Sequence, residues 1–308
     1  TIKDVAIIAP AGSAFVTRHE KGNDTFVRNK VKIVESLIQN LHIRDGMGRG
    51  FEYYGPSDAK IDGVYVGECR GDIGALIESS VDVGLLHVYA CCETAGGTGV
   101  VIREGARFDM LISEHNYGSG LFIDSWHVLI NTLQLYRNCR TSGNYNASIS
   151  VNSKYVQVGN CEIKLQDVDA GGLLISGERN KIGRLILVGD GVTTYTKTGV
   201  RLDSTAHYSS ILDLHIEGLT GTGAIGLALN QGGASNGVTV KGTISNCTTC
   251  INPGSQSNGG AKYELSAILS AGQNAVAFAF SPKATDYIMV TQRASGGAWS
   301  TLVSHVPV

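Results

Sequence analysis

Three short stretches of the chain, "GALIES", "GVVIRE" and "GLFIDS", place Glu78, Arg103 and Asp124 at the same point of one pattern. Two carboxyl groups held either side of a glycosidic bond can hydrolyse it, one as general acid and the other as base or nucleophile. An arginine between them can hold a polar substrate. Asp45 and Glu52 lie in the same context one pattern earlier, and Asp203 lies further along. Trp126, Tyr54, Tyr89 and Tyr53 offer rings for stacking on sugars, and His87 joins them as a polar binding group. An elimination reaction would instead use a base such as His87 or a tyrosine, with Arg103 neutralising a uronate. The residues alone leave both chemistries open, along with binding without cleavage.

What must position these groups is a repeat. The pattern Gly-x-x-apolar-polar begins at Gly50, Gly74, Gly99, Gly120, Ser148, Gly172, Gly199 and Gly226, at intervals of 24, 25, 21, 28, 24, 27 and 27 residues. Its polar position reads Tyr54, Glu78, Arg103, Asp124, Asn152, Ser176, Asp203, Asn230. A second pattern, apolar-x-x-apolar-x-apolar, runs out of phase with the first, as in Ile61/Val64/Val66, Ile130/Leu133/Leu135 and Ile211/Leu214/Ile216. Its outward position reads His42, Tyr65, His87, Gln134, Ile186, His215. Strand side chains alternate faces, so Leu214 and Ile216 point inward and His215 outward.

Two or three short strands per repeat of about 25 residues predict an all-β, right-handed parallel β-helix of about ten rungs. A leucine-rich repeat would add a helical segment, and a propeller blade needs about 40 residues. The helix is expected over residues 1–282, the first 25 or so forming an irregular lead-in. Residues 283–308 drop the repeat and are expected to cap the rod or pack on a neighbour. "VKIVESLIQNLHI" also fits helical spacing, but Ile38, Leu41 and Ile43 are in register with later rungs and read as strand. On such a rod, Glu78 and Asp124 stand two rungs apart, about 9–10 Å by the stacking distance. That is the upper edge of the range used by inverting glycosidases, about 6.5–9.5 Å.

Composition narrows the function. The chain has 40 Gly but 5 Pro in 308 residues, which suits many short strands and tight turns. Its 25 basic residues against 27 acidic ones, with no basic run, argue against a nucleic-acid partner. No apolar run approaches the roughly 20 residues of a membrane-spanning helix, so no membrane insertion is expected. Seven cysteines fit poorly with a disulfide framework and read as reduced and buried. Cys69/Cys91 and Cys139/Cys161, each 22 apart, are expected at equivalent places on neighbouring rungs. "CTTC" at Cys247–Cys250 lacks a second pair or a nearby histidine, so no metal site and no cofactor is expected. "GTGAIG" (Gly221–Gly226) runs into a strand rather than a helix, which removes a nucleotide-binding reading. "GASNG" (Gly233–Gly237) fails as a nucleophile elbow for the same reason.

Rungs such as "IQNLHIRDG" (Ile38–Gly46) and "SSILDLHIEG" (Ser209–Gly218) resemble those of the pectate-lyase-like β-helices. Without disulfide pairing or a secretion signal, the chain is most similar to bacteriophage tailspike and receptor-binding proteins, over residues 25–282. That resemblance implies a homotrimer on the phage tail. It would bind bacterial surface polysaccharide, capsule or O-antigen, and cut it by hydrolysis or elimination. Neither the aspartate-rich opening segment of tailspikes nor the calcium-site motif of pectate lyases is present, so no catalytic residue transfers by position. A non-catalytic adhesin and a secreted extracellular polysaccharide lyase are the alternatives.

Overall fold

The computed structural model describes residues 1–17, 37–55, 57–93, 97–140, 145–165, 169–231, 237–252, 262–268, 288–293 and 299–304. Every regular element among them is a strand. Consecutive strands alternate between two parallel sheets, and neighbours within a sheet lie one coil apart in the chain. The first sheet has eleven strands, from Ile2–Ile8 and Leu37–Arg44 through Thr239–Ser245 to Lys262–Ile268. The second has ten shorter strands, from Phe15–Thr17 and Phe51–Tyr53 to Thr249–Asn252. The fold is a right-handed parallel β-helix, as the repeat predicted. Its regular part, from Leu37–Arg44 to Thr239–Ser245, makes about eight turns, slightly fewer than the ten expected. The outermost strands of the long-strand sheet connect through segments outside the described residues.

Alternation along each strand builds the core. Ile43, Val66, Val88, Leu135, Ile163, Leu187 and Ile216 stack in one column, all buried. Ser113 occupies the same column between Val88 and Leu135. Its hydroxyl donates to the Gly120 carbonyl at 2.7 Å and accepts from the Asn116 side chain at 2.9 Å, so a buried polar group is satisfied within an aliphatic stack. The outward column of this sheet is as expected, His42, Tyr65, His87, Gln134, Ile186 and His215, with Ile112 and Glu162 filling the two rungs the pattern skipped.

The glycine column has a steric cause. A Cβ at Gly172 would lie 2.0 Å from Leu187 Cδ1 and 2.5 Å from the Gly199 carbonyl oxygen; one at Gly50 would lie 2.2 Å from Val66 Cγ1. Coil-to-coil packing at this corner leaves no room for a side chain. The pairing Leu121–Ala147–Leu173 shows that the occupant between Gly120 and Gly172 is Asn146, not Ser148. Asn146 is buried and donates to the Gly171 carbonyl at 3.2 Å. The polar position on that rung is therefore Ser150, and Asn152 lies two residues further along.

Other expectations meet the structure unevenly. Leu37–Arg44 is a strand, while the rest of "VKIVESLIQNLHI" lies outside the described residues. Within the first 17 residues, Ile2–Ile8 and Phe15–Thr17 pair in parallel with the next coil. Cys69 and Cys91 do stack. Cys139 and Cys161 do not: Cys161 pairs with Leu133 and Leu185 inside the core, while Cys139 follows a corner. All seven cysteines are free and buried. Ile225–Gln231 continues "GTGAIG" as a strand. Ile288–Arg293 and Trp299–Ser304 form an antiparallel pair, unlike the parallel coils before them; the expected boundary near residue 282 lies outside the described residues.

Candidate functional site

The corners leading from the short-strand sheet into the long-strand sheet vary in length. They are bracketed by buried, stacked residues, from Ile77, Ile102, Ile123 and Ile149 on one side to Val81, Ala106, Val128 and Val156 on the other. Between those brackets the chain inserts three residues (78–80), three (103–105), four (124–127), then six (150–155). A rod with uniform corners would have a flush surface. Here the surface steps outward after the 103–105 corner.

Backbone conformation follows the same step. The last corner residue lies in the left-handed region at Asp58 (φ 63°), His127 (58°), Tyr155 (59°), Arg179 (58°) and Tyr208 (55°). Bulky residues are uncommon there, at a cost of roughly 1–3 kcal/mol each. A second such column, Asp45, Glu68, Ala90, His115 and Arg137, lies where the long strands end, so the conformation belongs to the coil geometry. Only the two three-residue corners break the first column, at Ser80 and Gly105. Small side chains and a shorter path leave a cleft of about 520 Å³, lined by Ser80, Arg103, Glu104, Gly105, Asp124, Ser125, Trp126, His127 and Asn152.

Three predicted residues meet there: Arg103, Asp124 and Trp126. Arg103 Nη1 donates to Glu78 Oε1 at 2.7 Å. Glu78 thus adjoins the cleft through Arg103 without lining it, and its side chain is 13% exposed against 50% for Arg103. Asp124 Oδ1 accepts from the Ser150 hydroxyl and from Asn152 Nδ2 at 3.2 Å, which fixes the carboxylate from the longer corner beside it. Trp126 is 56% exposed, and its indole N–H donates to the Asn152 carbonyl at 2.7 Å. Lys154 lies 5.6 Å from the Trp126 ring centre and pairs with Glu178. Behind the cleft, the His127 and Tyr155 rings stack at 5.1 Å with 4° between planes. Arg179 continues the stack, 5.6 Å from the Tyr155 ring and 5.8 Å from that of Tyr208.

The remaining predicted residues are elsewhere. His87 and Tyr89 lie on the outer face of the long-strand sheet, in a row His42–Tyr65–His87–Tyr89 whose first two rings stack at 4.6 Å. His87 Nε2 is 2.9 Å from Glu114 Oε1. Tyr53 is fully buried in the core. Tyr54 donates to Glu52 Oε2 at 2.7 Å. Burial works to raise the Glu52 pKa, but hydrogen bonds from Ser13 and Tyr54 and the charge of Arg49 outweigh it and hold it below the usual value. Glu52 is a structural carboxylate. Asp45 belongs to the other corner, where hydrogen bonding to Glu68 raises its pKa. Asp203 pairs with Arg201 at 2.9 Å on a later rung.

Glu104, His127 and Asn152 escaped the sequence reading as cleft residues. Glu104 is exposed, lines the cleft and has no hydrogen bond or ion pair among the described residues. The signal for all three was the shortening of the spacer between Ile102 and Ala106, visible only once neighbouring rungs are aligned. Among the described residues no group of three or more His, Cys, Asp or Glu side chains could hold a metal ion.

No protein-family model, curated protein or solved structure matches this chain. The class defined by its fold is the right-handed parallel β-helix, and the cleft on its stepped corner offers carboxylates, a cation and exposed rings within one concavity. That combination can bind a polyhydroxylated chain and act on its linkages.

Proposed function

We propose that this protein is a tailspike-like polysaccharide depolymerase, which binds a bacterial surface polysaccharide along the rod and hydrolyses it in the stepped cleft. The observation that carries the reading is the convergence of Asp124, Glu104, Arg103 and Trp126 on that cleft. Asp124, oriented by Ser150 and Asn152, serves as the base that activates water. Glu104, the unengaged carboxyl one rung below, donates a proton to the leaving glycosidic oxygen. Glu78 is a positioning residue: its ion pair holds Arg103, which lines the cleft. The earlier pairing of Glu78 with Asp124 gives way because Glu78 does not line the concavity.

Hydrolysis is favoured over elimination by charge. With Glu104 protonated as the acid, Glu78 and Asp124 against Arg103 leave a formal charge of −1, unfavourable for the uronate that a lyase must bind. The same reading implies a homotrimer carried on a phage tail.

The experiment is a panel of capsule and O-antigen polysaccharides assayed for new reducing ends, with absorbance of unsaturated uronates followed in parallel. Reducing ends without that absorbance are expected on a cognate substrate. Asp124→Asn and Glu104→Gln should each lower the rate by about 10²-fold or more. Wild-type rates in both variants would overturn the site, and binding without any cleavage would make the protein an adhesin.

A further inference from the structure

The stack His127–Tyr155–Arg179–Tyr208 is closed at one end and open at the other. At the far end Tyr208 lies over Gly237, whose added Cβ would fall 2.7 Å from the ring. At the near end His127 has Tyr155 on one face. On the other, the position one coil away is Gly105, which carries no side chain, and both residues line the cleft. The cleft is thus the vacant next place in a ladder of flat groups spaced by the coil repeat, about 4.8 Å. That spacing is close to the thickness a ring needs to lie against its neighbour.

We propose that the cleft is a stacking slot for one neutral pyranose ring of the ligand. The sugar lies on the open face of His127 with Trp126 as the side wall. Its hydroxyls meet Arg103 and Asn152, which offer donors and an acceptor to uncharged oxygens. Neutrality follows from the surplus of carboxylates around the slot, which repels an acidic sugar. Tyr155 and Arg179 are positioning residues: they brace His127 from behind and touch no ligand. The inference rests on the proposed glycan-binding reading and adds to it a subsite and a substrate class.

Space and backbone make the slot testable. A Cβ at Gly105 would lie 3.2 Å from the Trp126 carbonyl oxygen, a tight contact relieved by a shift of a few tenths of an ångström, with the His127 carbonyl at 3.5 Å and His127 Cβ at 4.0 Å in ordinary contact. Gly105 is also outside the left-handed region that its equivalents occupy. Gly105→Leu should therefore fold and fill the slot from within. The chain has two tryptophans, so quenching of Trp126 fluorescence reports occupancy once Trp126→Phe has assigned the signal.

The probes are oligosaccharides from neutral glucan, mannan and galactan, with polygalacturonate and hyaluronate oligomers as the acidic set. At least one neutral probe should quench the wild-type protein, and Gly105→Leu and His127→Ala should each weaken it tenfold or more. Tyr155→Ala should weaken it less, and Tyr155→Phe, which keeps the ring against His127 but loses the hydrogen bond that the Tyr155 hydroxyl accepts from Arg179, should restore most of the wild-type affinity. Binding of a neutral probe with unchanged affinity in Gly105→Leu and His127→Ala would overturn the slot and leave the depolymerase reading standing. Preference for the acidic set would overturn the neutral-sugar assignment. No binding of any probe, together with no cleavage across the capsule and O-antigen panel, would overturn both readings.

Discussion

Burial pushes the thiols of Cys92 and Cys139 up to about 12 and that of Cys247 up to about 11. Cys91, hydrogen-bonded to Cys69 and buried, is raised as well. At pH 8 a thiol with a pKa near 12 is ionised about once in 10⁴ molecules, and the thiolate is the reactive form. Iodoacetamide at pH 8 should therefore leave Cys92, Cys139 and Cys247 unlabelled in the native protein and label all seven cysteines in denaturant, as read by mass spectrometry. Asp190 illustrates the opposite shift. Burial works against its charge, but the Thr193 hydroxyl at 2.7 Å, the Thr193 and Val192 amides at 2.7 and 3.0 Å and the Tyr195 hydroxyl at 3.1 Å overcome this and bring its pKa to about 2. A carboxyl depressed in the folded state stabilises it above the unfolded pKa of about 3.9 and loses that contribution as pH falls toward 2. In urea titrations between pH 5 and 2, Asp190→Asn should flatten part of the acid-side loss seen in the wild type. An unchanged slope would show that Asp190 is not a source of it. At this scale the sequence was a mixed guide. Val200 and Leu202 point inward and Arg201 and Asp203 outward, as alternation required. The partners of a carboxylate such as Glu52 come from residues 13, 49 and 54, and no local pattern announces them.

Single coils are held in register by the glycine corner and by amide ladders. Asn138 Oδ1 accepts from the Asn116 backbone N–H at 3.2 Å and from its side chain at 2.9 Å, while Asn138 Nδ2 donates to the Ser113 carbonyl at 2.8 Å. Asn138→Ala strands these buried groups and should cost about 2–4 kcal/mol in equilibrium unfolding. Gly172→Ala drives a methyl group against Leu187 and the Gly199 carbonyl and should cost about 1–3 kcal/mol. Gly12→Ala, where nothing lies within 4 Å, is the control and should change stability by less than about 0.5 kcal/mol. The glycine corner was legible because excluding a Cβ forces one residue type to recur. Legibility failed where Asn146 fills the position, so that the register slipped by two residues and Asn152 was placed in the wrong column. The cleft was illegible for a different reason. It depends on differences in corner length between neighbouring coils, and a search for sameness passes over such differences.

For the whole molecule, stacking gives each coil contacts mainly with the coils before and after it, so the long axis is set by the core and the outer surface is free to vary. Sedimentation of the intact protein should give a trimer on the tailspike reading; a monomer would favour a solitary secreted enzyme. The step from three-residue to four-residue corners has a consequence of its own. Lengthening 103–105 by one residue would bring that corner flush with the next, and shortening 124–127 would carry the recess one coil along, with every buried column unchanged. Recognition in such a rod is written in contour length. Small insertions and deletions can relocate the binding groove along the axis, as moving a single tooth alters a key while its shaft stays the same.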